Sequence, residues 1–194
     1  MYPIDLRLEG RAALVAGGGA VAHRKVAGLL AAGAAVTVVA PELVPPLAAL
    51  AADGSITWLA QLATAEVFAS LPRALLVFCA TDDRAANAAF GKAAKEAGAL
   101  VNDATTPELC DFFLPAALHD GDLLVTISTG GASPALARTL KKRLGRELGR
   151  LAQKARRAAR GSEGTHRGKC RTRGVLARGS FGAYFESCRR KQTG

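Results

Sequence analysis

Residues 11–24 constrain what this chain can fold into more than any other stretch. A short apolar run, Arg11–Ala16 (RAALVA), passes straight into Gly17-Gly18-Gly19, and a helical pattern is established by Ala22. Strand, glycine turn and helix in that order open a β-α-β unit of a parallel sheet. Ala22–Ala32 reads as the helix, with Val26, Leu29 and Leu30 on one face and Gly33 just past its end.

The same alternation continues. Ala35–Ala40 reads as a second strand halted by Pro41, Leu43–Asp53 as a helix and Ser55–Leu59 as a third strand. Leu75–Ala80 (LLVFCA) is continuously apolar, as a strand buried on both faces must be. Asp82 and Asp83 lead into a helix over Arg84–Ala97, closed by Gly98, and Leu100–Val101 makes a short fifth strand before Asn102. The expected fold class is α/β, with a Rossmann-type parallel sheet over residues 1–112.

After Phe112 the rhythm changes. Phe113–Leu118 and Leu123–Ser128 read as two more strands around the turn His119-Asp120-Gly121-Asp122, and Pro134 opens a basic helix to about Arg150. Leu136, Leu140, Leu144 and Leu148 lie four apart on that helix, a packing stripe for a dimer or domain contact. Residues 113–150 are therefore expected to form a small α+β dimerisation segment.

The net charge of +10 suggests nucleic acid until it is divided along the chain. Residues 1–150 hold 14 Lys+Arg and 14 Asp+Glu, whereas residues 151–194 hold 12 Lys+Arg against Glu163 and Glu186. The body is balanced like a metabolic enzyme, and a basic tail carries the whole excess. Past Arg160 only the Phe181–Phe185 patch is apolar, so residues 151–194 read as a disordered basic tail. A nucleic-acid-binding arm is the less favoured alternative, since no aromatic platform or motif accompanies the charge. The abrupt change of composition also fits a shifted reading frame.

An apolar fraction of 49% with 22% charged residues suits a globular chain with a real core. No apolar stretch approaches a membrane span, and the first residues lack the basic-then-apolar order of a signal peptide, so the expected location is the cytoplasm. Cys79, Cys110, Cys170 and Cys188 are scattered, with no C-x-x-C spacing, and read as reduced thiols rather than metal ligands.

Gly17-Gly18-Gly19-Ala20-Val21-Ala22 satisfies G-x-G-x-x-A between a strand and a helix. Glycines let the backbone turn tightly and approach a pyrophosphate, and the helix N-terminus offers free N–H groups to it. The second strand ends Val39-Ala40-Pro41-Glu42, with no Arg or Lys to receive a 2′-phosphate, so NAD is favoured over NADP. Glu42 could equally cap the next helix. Thr81 can donate its hydroxyl to a cofactor, while one of Asp82 and Asp83 caps the helix that follows. Ser128-Thr129-Gly130-Gly131-Ala132-Ser133-Pro134 is a second glycine turn at a helix start, with Ser133 as cap. With Arg138, Lys141, Lys142 and Arg143 following, it is either an anion receptor or a capped helix with a solvated basic face.

Taken in order, YPIDLRLEGR, VAGGGAVAHRKVAGLL, ATDD, PELCDFFLPA and STGGASPALAR resemble the precorrin-2 dehydrogenase family, the first module of siroheme synthase, over residues 1 to about 150. The resemblance implies NAD-dependent oxidation of precorrin-2 to sirohydrochlorin, a homodimer joined through the segment past Phe112, and in some relatives iron insertion. It places cofactor contacts on Ala20, Val21, Pro41 and Glu42, beside Gly17 and Gly19 of the motif, with Thr81 and Asp82 as further candidates. The substrate carries eight carboxylates, which would suit Ser128, Gly130, Gly131, Ser133 and Arg138.

The family also has an aspartate in a pattern close to N-V-x-D-x-P. Here the segment is Asn102-Asp103-Ala104-Thr105-Thr106-Pro107, with Thr105 at the aspartate's position and a carboxylate, Asp103, two residues early. Threonine is no general base at neutral pH without help. A two-residue displacement moves a side chain about 6–7 Å along an extended segment, so Asp103 is expected to contribute weakly unless the loop rebuilds. A non-catalytic NAD-binding regulator is the alternative function.

Overall fold

The computed structural model describes residues 1–120 and 123–162, the last twelve as backbone. The expectations for the tail beyond Ser162, and for Gly121 and Asp122 of the turn, lie outside the described residues.

Five strands make one sheet: β1 (Ala12–Ala16), β2 (Ala35–Val39), β3 (Thr57–Leu59), β4 (Leu76–Cys79) and β5 (Leu100–Asp103). Their order is β3-β2-β1-β4-β5 and every pairing is parallel. Helices α1 (Ala20–Ala31), α2 (Pro45–Ala52), α3 (Ala65–Ala69) and α4 (Arg84–Glu96) make the crossovers. The chain order reverses between β1 and β4, where open α/β sheets bind ligands beyond the carboxyl ends of their strands.

Alternation along β1 divides the core. Ala13 and Val15 pack with Val26, Val38, Leu47 and Phe78, whereas Leu14 and Ala16 pack with Val39, Val77, Phe90 and Val101. All are buried, which is why the strands read as unbroken apolar runs.

The sequence pattern missed α3. Its five residues are too few to show a helical period, although Thr64 caps them by accepting from Val67 N at 3.3 Å.

The chain divides into two compact units, Tyr2–Phe113 and the part from Leu114 onward together with Met1. In the second, β6 (Ala116–Asp120) and β7 (Leu123–Ile127) form an antiparallel pair packed on α5 (Pro134–Ser162). This helix does not stop near Arg150. The Ala, Arg, Lys and Gln residues of 152–160 are strong helix formers and carry it through Ser162. Of the leucine stripe, Leu140 and Leu148 are half-buried, while Leu136 and Leu144 are exposed.

Candidate active site

The three glycines of the first turn do different things. Gly17 has φ of 120°, and a Cβ on it would overlap the Ala80 carbonyl beyond β4. At Gly18 a Cβ would overlap the Glu42 carbonyl oxygen, and the Gly18 carbonyl accepts from Val44 N at 2.9 Å. These two wedge the turn between the exits of β4 and β2. Gly19 instead faces open space, with nothing within 4 Å of a Cβ built there.

Gly19 is also the N-cap of α1, in extended conformation, with no side chain capping the helix and no acid in its first turn. The N–H groups of the first turn have no intrahelical acceptors and sit at the positive end of the helix dipole. Ala20 and Val21 are exposed there. Open space over a glycine, beside free N–H groups, fits the pyrophosphate of a dinucleotide.

Pro41 and Glu42 follow β2 and are exposed. The residue before them is held from both sides: Ala40 N donates to Leu59 O at 3.1 Å, and the Trp58 indole donates to Ala40 O at 2.9 Å. Helix α2 begins at Pro45 with Val44 as N-cap, so Glu42 does not cap it. That leaves its carboxylate free toward solvent, as ribose recognition requires.

Beyond β4, Asp83 is the capping aspartate, accepting from Ala85 N at 2.8 Å and Ala86 N at 3.0 Å, while Asp82 is exposed. The Thr81 hydroxyl is not free to donate outward. Its single proton goes to Asn87 Oδ1 at 2.7 Å or Asp83 O at 3.0 Å, so Thr81 offers a ligand only an acceptor.

Asn87 went unnoticed in the sequence, and it is fully buried. Its Oδ1 accepts from Thr81 N at 3.1 Å as well as from the hydroxyl. Its Nδ2 donates to Thr81 O at 3.0 Å and to Thr105 Oγ1 at 3.4 Å. One amide thus ties the turn after β4 to the loop after β5. Its signal was a polar residue in line with Phe90, Gly91 and Ala94, the buried face of α4.

Beyond β5 the loop does rebuild, contrary to the extended-chain expectation. Asp103 Oδ1 accepts from Thr105 N at 2.7 Å, Thr105 Oγ1 at 2.7 Å and Thr106 N at 3.0 Å. The chain folds back over its own carboxylate in an Asx-type turn, bringing Thr105 to a side chain only two residues away. Asp103 is 5% exposed, and its Oδ2 is buried with no hydrogen-bond partner. Thr105 itself is exposed. Cys110 Sγ accepts from Asp103 N and donates to Asp103 O, both at 3.2 Å, pinning the base of the loop.

Lys25 of α1, also missed, donates to Asn102 Oδ1 at 3.3 Å and lies 5.3 Å above the Phe78 ring centre. Burial, then the neighbouring Arg24, holds its ammonium below the usual lysine range against an opposing pull from Cys110. Burial, reinforced by Asp103 and Cys110, pushes the Cys79 thiol up to about 12, so it is an inert core thiol.

Gly17, Gly19, Ala20, Val21, Pro41, Glu42, Thr81, Asp82, Asp103 and Thr105 therefore gather at the carboxyl edge of one parallel sheet. In the second unit, Ser128 Oγ accepts from Gly130 N at 3.3 Å, and Ser133 Oγ accepts from Leu136 N at 3.2 Å as the cap of α5. Gly130 and Gly131 have φ of 65° and 87°, and Arg138 is exposed.

Comparison with known proteins follows the same division. A family described as NAD(P)-binding matches residues 4–116, and one described as the central part of sirohaem biosynthesis protein matches residues 120–147. The siroheme synthase of Methylobacillus flagellatus is 46% identical over 144 residues, covering 73% of this chain and 30% of the relative. That of Gluconacetobacter diazotrophicus is 44% identical, covering 74% and 31%. This chain thus spans about a third of the length of these curated relatives. The solved structure of SirC, precorrin-2 dehydrogenase, superposes with a TM-score of 0.64 at 33% identity, covering 76% of this chain and 71% of that one. By sequence and by fold, the chain belongs to the NAD(P)-binding family that matches residues 4–116, followed over residues 120–147 by the central part of sirohaem biosynthesis protein.

Proposed function

We propose that this chain oxidises precorrin-2 to sirohydrochlorin with NAD, a step of siroheme biosynthesis. The observation that carries the reading is the open, uncapped first turn of α1 at Gly19, on a sheet that superposes on a precorrin-2 dehydrogenase. When bound, NAD supplies the hydride acceptor. Ala20 and Val21 would hold the pyrophosphate through their N–H groups, with Gly17 setting the turn and Gly19 leaving room. Glu42, following Pro41, offers a carboxylate to a ribose diol and repels a 2′-phosphate. Thr81 accepts from the cofactor and Asp82 borders it.

The tetrapyrrole's carboxylates are assigned to the turn of Ser128, Gly130, Gly131 and Ser133 and to Arg138. A receptor at a helix start with basic residues behind it suits a polyanion. Holding cofactor and macrocycle in register is itself worth several kcal/mol of barrier lowering. A second copy is proposed to dock through the segment past Phe112, where Leu136 and Leu144 lie exposed. The free thiols Cys79 and Cys110 suit the cytoplasm.

The test is to mix the purified chain with NAD and precorrin-2 and follow NADH absorbance together with sirohydrochlorin formation. Stoichiometric appearance of both is expected, and neither forming would defeat the proposal. Thr105 at the family's aspartate position favours one second reading, a regulator that binds NAD without oxidising anything. In that case calorimetry would detect NAD binding while the assay stayed flat.

A further inference from the structure

We propose that Thr105 and Asp103 act together as a proton relay, the hydroxyl of the surface residue Thr105 taking a proton from the substrate while passing its own to the buried Asp103 carboxylate. The inference rests on the dehydrogenase reading above and names the group that removes the proton.

Three observations carry it. The first is geometric: Thr105 Oγ1 lies 2.7 Å from Asp103 Oδ1, the short distance of a hydroxyl donating to a carboxylate. The second is directional. Asn87 Nδ2 stands 3.4 Å from the same oxygen and can only donate to it, and of the two acceptors within reach of the hydroxyl proton Asp103 Oδ1 at 2.7 Å is much nearer than Thr106 Oγ1 at 3.4 Å. The third is that Asp103 is more than the turn needs. All three donors converge on Oδ1, while Oδ2 is buried and unpartnered, which is costly for a polar atom. An asparagine would accept the same three bonds without burying a carboxylate.

The transfer balances. The oxidation removes two hydrogens from the substrate, one as hydride and one as a proton. The proton bonds to Thr105 Oγ1 as the old Thr105 O–H bond breaks, and the departing proton bonds to Asp103 Oδ1. No electrons change owner in this step. Asp103 returns its proton to water through Thr105 before the next turnover. Thr105 would be the catalytic residue, touching the substrate, and Asp103 acts through it.

The experiment compares the wild-type chain with Asp103→Asn, Thr105→Val, Thr105→Ser and the Asp103→Asn/Thr105→Val double variant. NAD affinity is read by calorimetry, and kcat, KM and the solvent deuterium isotope effect by turnover of precorrin-2. Asp103→Asn and Thr105→Val should each lower kcat about 10²–10⁴-fold, the usual worth of general acid–base catalysis, with NAD affinity and KM nearly unchanged. Thr105→Ser should keep most of the rate, and the double variant should be no slower than the slower single one, because either change breaks the same relay. The isotope effect on kcat should be present in wild type and altered in Thr105→Val.

A Thr105→Val chain as fast as wild type overturns the relay. So does a slow Asp103→Asn chain beside a fast Thr105→Val chain, which would make Asp103 the direct acceptor. Loss of NAD binding in either single variant would show that the pair only holds the loop, and would also overturn it. A wild-type chain that leaves precorrin-2 unoxidised defeats the dehydrogenase reading and takes the relay with it. That outcome is distinct, because the relay alone fails only when wild type turns over.

Discussion

Gly18 and Gly19 are chain neighbours that meet opposite surroundings: a Cβ on Gly18 runs into the Glu42 carbonyl, whereas a Cβ on Gly19 meets nothing. Substituting each with valine should therefore separate folding from binding. Gly19→Val should melt close to wild type yet lose NAD affinity by at least about 100-fold, equivalent to ~2.7 kcal/mol. Gly18→Val should lower stability by about 1–3 kcal/mol through overpacking. Thermal melts and calorimetry on the two variants check both halves, and unchanged NAD affinity in Gly19→Val would remove the cofactor assignment.

Trp58 is the chain's one tryptophan and is bonded to Ala40 O, one residue before Pro41. NAD binding should therefore change its fluorescence. Replacing it with phenylalanine deletes one hydrogen bond behind the loop proposed to meet the ribose, worth about 1 kcal/mol, and should weaken NAD roughly fivefold. A titration with no change in emission, and an unaltered dissociation constant in Trp58→Phe, would count against the role assigned to that loop.

The two aspartates after Thr81 should behave differently. Asp83 accepts two N–H groups at the start of α4, so Asp83→Ala should cost about 0.5–2 kcal/mol in stability. Asp82→Ala should leave stability within about 0.5 kcal/mol of wild type, as an exposed residue away from such features does. Urea midpoints measure the contrast, and equal losses would refute the assignment.

Asp111 gives a pH signature. Burial acts to raise its pKa, but the Lys95 ammonium 2.8 Å away and the Val101 N–H at 2.9 Å outweigh it and hold the carboxyl below its ordinary value of 3.8. A carboxyl with a depressed folded-state pKa stabilises fully above the ordinary value and loses that stabilisation as pH falls through the lowered one. Asp111→Asn should thus be less stable at pH 7 by about 0.5–1 kcal/mol, since solvent screens this partly exposed pair. The gap should close in melts taken progressively below pH 4, and a gap independent of pH would show that charge is not the cause.

The parallel sheet could be read from residues alone because strands buried on both faces must be apolar throughout: Ala12–Ala16, Ala35–Val39 and Leu76–Cys79 have no polar residue except Thr37. The glycine turn was legible for a similar reason, since its demands are local. What escaped depends on how the chain turns and packs. Asn87 is buried because Thr81 and Thr105, six and 18 residues away, supply its partners. The contact of Asp103 with Thr105 depends on a chain reversal that residue spacing along an extended strand argues against. Helix α5 outruns the expected end near Arg150 because the Lys and Arg residues that mark a basic tail also favour helices.

The wedging of Gly17 under Ala80 and of Gly18 against Glu42 also bears on timing. If the dinucleotide binds at this turn as proposed, a turn locked on both sides is already in its binding shape, so little ordering remains to slow capture. Variants at residues 19–21 should then differ mainly in residence time, with nearly constant association rates.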